Sequence, residues 1–519
     1  MLPRRYYVTT SIPYVNASPH IGFALEAVQA DVLARYHRQL GDDTRFLTGT
    51  DDNSLKNVLA AEAQGVPVQQ LVDQNADTFQ ALREPLALSF DDFMRTSIDP
   101  RHAAGAQRLW RACAAAGDVY KRQYGGLYCV GCEQFYGADE LSDGRCPEHG
   151  TAPEWVEEEN YFFRLQRYAA PLHQLINDGK LRIIPETRRN EVLRFIEGGL
   201  ADFSISRSQR RARGWGIPVP GDPEHVMYVW WDALINYITA LDYAERGERY
   251  QRYWLENQQR VHVIGKGILR FHAVYWPAML LSAGEPPPTT IYVHEYLTVD
   301  GQKISKSRGT AIDPVGLVER FGTAALRYWL LREPSRTEDA DFTLARMLAR
   351  YDADLANGLG NLLQRTVSML ARYRTSVVPS AGAPLPGAVD MAEIARSLSE
   401  RVATALDAFD FRAALSAIWE LVGRANRFVE ETAPWTLARR VTGDDTEAAL
   451  QLDSVLYALA ECLRLIAYHL VPFLPGTSEG ICRQLGLAAV GGPGWGGLLP
   501  GTAVPSPLPL FPRFNPSLL

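Results

Sequence analysis

The chain has 519 residues, of which 46% are hydrophobic and 22% charged, and its formal net charge at pH 7 is −7. These values are typical of a soluble globular protein with about three or four structural units, and the negative charge excludes an overall basic surface. No apolar run approaches the roughly 18 residues that span a bilayer. The N-terminal sequence MLPRRYYVTT also lacks the apolar core of a signal peptide. We therefore expect a cytoplasmic protein with no membrane partner.

The first part of the chain alternates strand and helix patterns. The runs RRYYVTT and TRFLTGTD predict buried parallel strands, and LEAVQADVLARYHRQLG between them predicts an amphipathic helix. The sequence SPHIGFALE, residues 18–26, joins the first strand to this helix. Such a corner places backbone N–H groups of the helix N-terminus at the carboxyl edge of the sheet, where they attract phosphate.

A second strand–helix block starts with VMYVWWDALINYITAL and ends near Arg332. Two such blocks predict one doubly wound, Rossmann-like α/β sheet with an insertion between its halves. Long helical patterns after this block predict an all-α bundle, and a Gly- and Pro-rich tail follows. The predicted divisions are 1–116 and 223–342 for the two halves of the sheet domain, 117–222 for the insertion, 343–490 for the bundle and 491–519 for a tail packed on the surface.

The insertion contains a short-spaced set of metal-binding residue types. Cys129-Val-Gly-Cys132 is followed, after thirteen residues, by Cys146-Pro-Glu-His149. Two such pairs can surround one tetrahedral ion and leave no open position, so the spacing predicts a structural Zn²⁺ site. The remaining cysteines are scattered, which does not suggest a disulfide framework.

Two runs are rich in positive charge. The sequence VDGQKISKS, residues 299–307, combines an Asp-Gly hairpin turn with Lys303 and Lys306, whose point charges suit a triphosphate. Surface lysines are common, so this run alone is weak evidence. The densest basic run is SRSQRRAR, residues 206–213, which fits either a local polyanion contact or a solvated loop.

Taken together, PHIG and KISKS resemble the HIGH and KMSKS signatures of class I aminoacyl-tRNA synthetases. The resemblance narrows to the methionyl-tRNA synthetases, because further matches occur in chain order over nearly the whole sequence. The matching stretches are YYVTTSIPYVNASPHIG, FLTGTD, YCVGCEQFY, CPEHG, VEEENYFFRL, PETRRNEV, GLADFSISR, WGIPVPGDPEHVMYVWWDALINYITAL, FHAVYWPAML and LANGLGNLLQR. The chain resembles the short form without an appended C-terminal dimerisation and tRNA-binding domain, which implies a monomer.

The resemblance implies a methionine–tRNA ligase that uses ATP with Mg²⁺, L-methionine and tRNA(Met). It implies catalytic roles for His20, Lys303 and Lys306. The implied ATP-binding positions are His20, Gly22, Phe23, Glu26, Lys303, Ser305 and Lys306. The implied methionine-binding positions are Ile12, Tyr14, Asp51, Trp230, Ala233, Leu234, Tyr237, Ile268 and His272. The implied anticodon-binding positions are Asp352, Arg365 and Trp435.

Some of these positions also fit a structural role. Asp51, which would hold the substrate ammonium group, could instead cap the following helix. The apolar and aromatic positions of the methionine set could be ordinary core residues, and so could Trp435.

The chain departs from the family pattern at four places. Phe23 replaces the second histidine of HIGH, and DDNSL, residues 51–55, stands where family members commonly have TDEHG. Gly267 replaces the aspartate of GKD, and Asp352 replaces an asparagine. We expect Phe23 to pack against adenosine or the helix core while Glu26 and the lysines contact the nucleotide. The alternatives to a methionine–tRNA ligase are a paralogue that activates an amino acid for a non-tRNA acceptor and a catalytically weakened binding module.

Overall fold

The computed structural model describes residues 3–130, 134–147, 150–304, 311–383, 385–441 and 445–514. The chain forms two compact units. The first contains the chain up to Ala30 together with Leu40–Arg83 and Leu88–His294, and the second contains Asp31–Gln39, Glu84–Ala87 and the chain from Glu295 onward.

The first unit is built on a six-stranded parallel sheet. In spatial order its strands are β3 (Asp92–Arg95), β2 (Asp43–Thr50), β1 (Arg5–Thr10), β12 (Arg260–Gly265), β13 (Thr290–His294) and β7 (Arg182–Ile184). Val8 of β1 pairs with Phe46 of β2 on one side and with Val261 of β12 on the other. Strands from both predicted halves therefore form one sheet, which confirms the doubly wound α/β fold.

The helices of this unit surround the sheet. They are α1 (Ile21–Gln39), whose second half belongs to the other unit, α2 (Leu55–Gln64), α3 (Val68–Gln80), α4 (Pro100–Ala115), α5 (Ala169–Asn177), α6 (Glu186–Glu197), α7 (Val229–Leu234), α8 (Asn236–Thr239), α9 (Glu248–Tyr250) and α10 (Trp276–Ser282). Residues 6–10 of β1 are all buried. Burial on both faces is the reason that this strand has a continuous rather than an alternating apolar pattern.

The predicted insertion is not one module. β7 lies within residues 117–222, yet Ile183 of β7 pairs with Ile291 of β13 in the main sheet. The four-residue run LRII is too short to carry a strand signal of its own beside the cysteine motif. β7 thus extends the parallel sheet from within the predicted insertion, and the bounds of that insertion stay a prediction.

Smaller antiparallel sheets form the rest of the insertion. One contains β5 (Gln134–Tyr136), β4 (Val119–Cys129), β6 (Glu154–Phe163) and β8 (Phe203–Ser204), and another contains β10 (Pro218–Val219), β11 (Asp222–Met227) and β9 (Ser206–Ser208). The β4–β6 pairing runs from Val119 opposite Phe163 to Tyr128 opposite Glu154. This long antiparallel pairing ends near Cys129, the last residue of β4, at one end of the four-stranded sheet.

The second unit begins with a small sheet and continues as helices. The sheet contains β15 (Gln302–Lys303), β14 (Leu297–Val299) and β16 (Ala340–Phe342). The helices are α11 (Pro314–Arg332), α12 (Leu344–Arg350), α13 (Asn361–Tyr373), α14 (Pro386–Asp407), α15 (Phe411–Thr432), α16 (Pro434–Val441), α17 (Thr446–Leu470) and α18 (Pro475–Gln484). A π-helical segment, Tyr351–Gly360, joins α12 to α13.

The boundary between the units differs from the predicted one. Residues 295–342 group with the helical region rather than with the second half of the sheet domain. The tail from 491 to 514 has no helix and only an isolated bridge between Ala503 and Val377, in line with its Gly- and Pro-rich sequence. Among the described residues, no helix has the length and hydrophobicity that crossing a bilayer requires.

Candidate active site

The corner between β1 and α1 holds His20 against the first helical turn. The Gly22 amide donates to His20 Nδ1 at 3.1 Å. A Cβ atom on Gly22 would lie 2.8 Å from His20 Cε1, so glycine gives the imidazole room to fold back. Because Nδ1 accepts this bond, the neutral ring carries its proton on Nε2, which makes that atom a donor suited to a phosphate oxygen.

Phe23 lies in a small apolar cluster. Its ring meets the Phe79 ring edge-on with centroids 5.1 Å apart. The cluster also contains Val15, Val72 and Trp215. Of the two placements expected for Phe23, against adenosine or against the helix core, the structure shows packing against the protein interior. The phenyl ring offers no hydrogen bond in place of the second histidine of HIGH.

Glu26 is engaged within the protein. Its Oε1 accepts bonds from the Ser11 amide at 2.7 Å and the Ser11 hydroxyl at 2.6 Å, and its Oε2 lies 3.0 Å from His294 Nε2. The residue is 5% exposed. These contacts tie the ends of β1 and β13 to α1, and the expected contact between Glu26 and the nucleotide stays a prediction.

Asp51 lies directly after β2 and is buried. It forms a parallel bridge with Tyr14, and its amide donates to Pro13 O at 2.9 Å. Helix α2 is capped by Ser54, whose side chain accepts from the Lys56 amide. The alternative that Asp51 is the helix cap is therefore wrong.

An aromatic group brings several predicted methionine positions together. Trp230 stacks on Phe271 with ring centroids 3.8 Å apart and an angle of 6° between the planes. Its ring also meets the Tyr14 and His272 rings edge-on, at 6.4 and 6.5 Å. The Trp230 indole N–H has no hydrogen-bond partner among the described residues. Phe271 was missed by the sequence analysis, although its place in the matching run FHAVYW is a signal that could have found it.

Tyr237 and His272 form a buried hydrogen-bonded pair. His272 Nδ1 lies 2.9 Å from Ile268 O, and a carbonyl can only accept, so Nδ1 carries the proton and Nε2 accepts from the Tyr237 hydroxyl at 2.7 Å. Burial lowers the pKa of His272 to about 4 and raises the pKa of Tyr237 well above its usual value. Both side chains are therefore neutral at pH 7.

The other methionine positions differ in how directly they join this group. Leu234 is buried in the core cluster that also holds Tyr237, Ile268 packs against that cluster, and Ala233 is buried. Ile12 is half-buried. His262 was missed: its ring lies 4.1 Å from the Tyr237 ring, and burial lowers its pKa well below the usual value. An isolated histidine inside a strand gives no sequence signal of this kind.

The hairpin that precedes the KISKS run is formed in the second unit. Thr298 pairs with Lys303 across the turn at Asp300 and Gly301, which confirms the predicted hairpin. Asp341 Oδ1 accepts from the Thr298 hydroxyl and the Gly301 amide, both at 2.8 Å, and these bonds lower the pKa of Asp341. Ser305 and Lys306 lie outside the described residues, and only the backbone of Lys303 is described.

The predicted metal ligands are described in part. Cys129 and Cys146 are each 1% exposed and share a small buried cluster with Tyr136. Cys132 and His149 lie outside the described residues. Within the part that is described, no group of three or more metal-ligating side chains is present.

The basic run at 206–213 is largely engaged with its own chain. Arg207 is buried, with its guanidinium 4.3 Å from the Tyr228 ring centroid. Arg211 pairs with Glu154 at 2.7 Å, and Arg213 pairs with Glu62. Arg207 therefore fits neither interpretation, whereas Arg213 is exposed and its pair with Glu62 fits a solvated loop.

The predicted anticodon residues lie on the helices of the second unit. The Arg365 guanidinium is 5.6 Å from the centre of the half-buried Trp435 ring and donates to Glu430 at 2.7 Å. Asp352 is exposed in the π-helical segment. Trp435 is therefore not the fully packed core residue of the alternative prediction.

Comparisons with known proteins agree with this architecture. A family model described as "tRNA synthetases class I (M)" matches residues 6–152 and 138–367. The chain is 42% identical over 526 residues to a methionine–tRNA ligase of Brucella suis, covering 99% of each chain. It is 43% identical over 523 residues to a methionine–tRNA ligase of Mycobacterium bovis, covering 98% of each.

Comparison with solved structures also finds similarity to methionyl-tRNA synthetases. Methionyl-tRNA synthetase of Mycobacterium tuberculosis in complex with methionyl-adenylate matches with a TM-score of 0.93 and 42% identity, covering 98% of this chain and all of that one. The apo form of that protein matches with a TM-score of 0.87 and 40% identity, covering 99% of each chain.

The parallel sheet, the His20 corner and the family match define a class I aminoacyl-tRNA synthetase. Identity above 40% over nearly the full length of both chains narrows the class further. The chain belongs to the methionine–tRNA ligases.

Proposed function

We propose that the chain activates L-methionine with ATP and transfers it to the 3′ end of tRNA(Met). The observation that carries the proposal is the bridge between Tyr14 and Asp51 beside the edge-on contact between Tyr14 and Trp230. These two contacts support a site in which a carboxylate lies next to a largely aromatic group. A carboxylate suits the α-ammonium of an amino acid, and aromatic rings suit a polarisable thioether.

In this proposal Asp51 binds the ammonium group, and Ile12, Tyr14 and Trp230 contact the side chain. The remaining contacts to the substrate side chain come from Ala233, Leu234, Tyr237, Ile268 and His272. Tyr237 donates its only proton to His272, so its oxygen faces the thioether without a donor to spare. Tyr237 and His272 would thus line the side-chain pocket with neutral groups and would make no charged contact with the substrate.

His20 is proposed to act on the α-phosphate side of ATP. A methionine carboxylate oxygen attacks the α-phosphorus, the bond to the bridging oxygen breaks, and pyrophosphate leaves with the electron pair. The adenosine ribose hydroxyl of tRNA then attacks the carbonyl carbon, and AMP leaves. Such displacements depend on positioning and charge stabilisation, which the Nε2 proton of His20 and the lysines Lys303 and Lys306 would supply.

Mg²⁺ is expected to accompany ATP and to neutralise phosphate charge when bound. A structural Zn²⁺ is proposed at Cys129, Cys132, Cys146 and His149. The support is that Cys129 and Cys146 are buried in one cluster, and soft thiolates are preferred zinc ligands. All four positions would be filled by protein, so this ion would stabilise the insertion and take no part in the chemistry.

Arg365 and Trp435 are proposed to bind the anticodon. A half-buried indole beside a guanidinium can stack on an unstacked base and hydrogen-bond its edge. The exposed Asp352 would meet RNA with a negative charge, and we propose that it selects against phosphate at that point. A monomer that works in the cytoplasm completes the proposal.

The pocket is tested by ATP–pyrophosphate exchange over a panel of amino acids with the unmodified chain and Asp51→Asn. We expect exchange with methionine and a large rise in KM for methionine in the variant. Exchange with another amino acid, or an unchanged KM in Asp51→Asn, would contradict the proposed pocket.

A further inference from the structure

Asp232 is a completely buried carboxylate in α7, the helix that carries Trp230, Ala233 and Leu234. Its Oδ1 lies 2.6 Å from His102 Nε2, and its Oδ2 accepts from Asn53 Nδ2 at 2.8 Å. His102 is also completely buried. Neither Asp232 nor His102 is among the residues proposed above to touch a substrate.

The hydrogen-bonding capacity of each side chain assigns the donors and acceptors around Asp232. An ionised carboxylate only accepts, so His102 Nε2 carries a proton. The other ring nitrogen, Nδ1, lies 2.9 Å from the Thr239 hydroxyl, which can donate or accept. Asn53 supplies the second donor to Asp232. Both carboxylate oxygens are thus satisfied from two different parts of the chain.

Asn53 belongs to the segment that follows Asp51, and this segment is held at several points. The Asp52 amide donates to Thr96 Oγ1 at 2.9 Å, and Asn57 Nδ2 donates to the Asp51 and Asp52 carbonyls at 3.0 and 2.8 Å. These bonds fix the segment to its own neighbours. Only the Asn53 side chain, among the hydrogen bonds described for residues 51–54, reaches the helix of Trp230.

A buried carboxylate costs several kcal/mol of desolvation, so its retention requires compensating contacts. One of those contacts, the bond from Asn53, joins the segment of Asp51 to α7. We infer that Asp232, through Asn53, is a positioning residue that sets the span between the ammonium-binding and thioether-binding ends of the methionine site. This inference rests on the proposed roles of Asp51 and Trp230.

The test compares Asn53→Ala with Thr239→Val in ATP–pyrophosphate exchange. Asn53→Ala removes the link between the segment and the helix. Thr239→Val removes a hydrogen bond at the far end of the same buried network and leaves the link intact. We expect Asn53→Ala to raise KM for methionine about tenfold or more, the effect of losing a bond to a charged group. KM for ATP should stay within about twofold, and Thr239→Val should leave both values within about twofold.

Two further variants sharpen the test. Asn53→His provides a ring N–H that can donate to Asp232, so KM for methionine should stay within about threefold of the unmodified value. Asn53→Ser, which is too short to reach Asp232, replaces Asn53→Ala if that variant fails to fold. The ratio of kcat/KM for methionine to that for ethionine should fall in Asn53→Ala, because a loosened span tolerates an extra methylene.

The positioning role would be overturned if Asn53→Ala and Thr239→Val had equal effects on KM for methionine. It would also be overturned if Asn53→Ala lowered only the fraction of enzyme that is active and left KM for methionine unchanged. Asp51→Asn separates this outcome from failure of the proposed site. If Asp51→Asn raises KM for methionine and Asn53→Ala does not, only the positioning role is wrong. If Asp51→Asn has no effect, the ammonium site itself is wrong, and the positioning role that rests on it is overturned too.

Discussion

Phe23 meets Phe79 edge-on, with ring centroids 5.1 Å apart, at the position where the family signature has its second histidine. The helix corner therefore keeps one imidazole, His20, and gains an aromatic contact with α3. Such pairs contribute about 0.5–1.5 kcal/mol beyond the area that they bury. Phenylalanine at position 23 thus lacks the hydrogen-bond donor of a histidine and instead packs on Phe79.

Phe23→His should lower stability and leave adenylation little improved. The imidazole would lose apolar contact with Phe79 and Val72 and would place a polar ring in an apolar cluster. Thermal unfolding should shift to lower temperature, while the rate of exchange at saturating substrate should rise less than about threefold. Phe79→Leu is the control, because it weakens the same contact without adding a donor. If Phe23→His alone accelerated exchange by about two orders of magnitude, the missing histidine would be what limits the reaction.

The neutral His272 predicts a pH dependence of stability. Its pKa is about 4 in the folded chain, below the usual value of about 6.5 that it regains on unfolding. The unfolded chain therefore binds more protons between these values, and stability falls as the pH is lowered from about 6.5 to 4. The slope from this group approaches about 1.4 kcal/mol per pH unit.

His272→Gln checks this dependence, because an amide can accept from Tyr237 and donate to Ile268 O without titrating. The shift of the thermal midpoint between pH 7 and pH 5 should be smaller in the variant than in the unmodified chain. His173→Gln, a substitution of an exposed histidine, should leave that shift as it is. Identical shifts for His272→Gln and the unmodified chain would mean that His272 does not titrate as described.

The C-terminal tail is held by a buried ion pair. Glu461 accepts from Arg464 at 2.7 and 2.8 Å and from the backbone amides of Gly496, Gly497 and Leu498 at 2.7–3.0 Å. Arg464 also donates to the Val490 carbonyl, directly before the tail, and to two tail carbonyls, those of Gly492 and Gly494. The described part of the tail, residues 491–514, thus has no helix but forms a dense set of bonds to α17.

Glu461→Gln should free the tail, because it leaves the buried Arg464 charge without its carboxylate. Breaking a buried pair costs about 3–5 kcal/mol. Limited proteolysis should cut within the tail much faster than in the unmodified chain. Glu420→Gln, which removes the partner of Arg401 in an exposed pair, is the control and should not change the cleavage rate. Equal cleavage rates for the two variants would contradict this description of the tail.

Features encoded by contiguous residues could be predicted from the sequence, whereas features that depend on contacts between distant residues could not. The β1 and β2 runs, the Asp300–Gly301 turn and the helices after Thr343 are signalled by contiguous residues, and each is found. Strand β7 was missed because three residues form a strand only when β13 provides its partner. Phe271 reaches Trp230, and His262 reaches Tyr237, through tertiary packing. Spacing along the chain does not encode such contacts. The contacts of Glu26 could not be predicted, because its partners Ser11 and His294 lie at the ends of two different strands.

The proposed zinc site predicts about one Zn²⁺ per chain in the purified protein. Cys129→Ser and Cys146→Ser should each lose the metal, as measured by elemental analysis, because a hydroxyl is a far weaker zinc ligand than a thiolate. Cys482→Ser, which changes a cysteine in α18, should retain it. Zinc at full occupancy in Cys146→Ser would contradict the proposed ligand set.

The proposed anticodon pair predicts a separation of the two half-reactions. Trp435→Ala should lower kcat/KM for tRNA about 10- to 100-fold, the effect of losing a stacking platform, and should leave exchange with methionine unchanged. Arg401→Ala, which removes an exposed arginine on α14, should leave both activities near their original values. A parallel loss of exchange in Trp435→Ala would indicate a structural role.

The most direct test of the account is charging of total tRNA with labelled methionine by the unmodified chain, with ATP–pyrophosphate exchange measured on the same preparation. The account predicts that both activities occur, and that methionine is the amino acid attached to tRNA(Met). Exchange with methionine but no charging of any tRNA would contradict it and would point to a non-tRNA acceptor. The absence of exchange would contradict it at the first step.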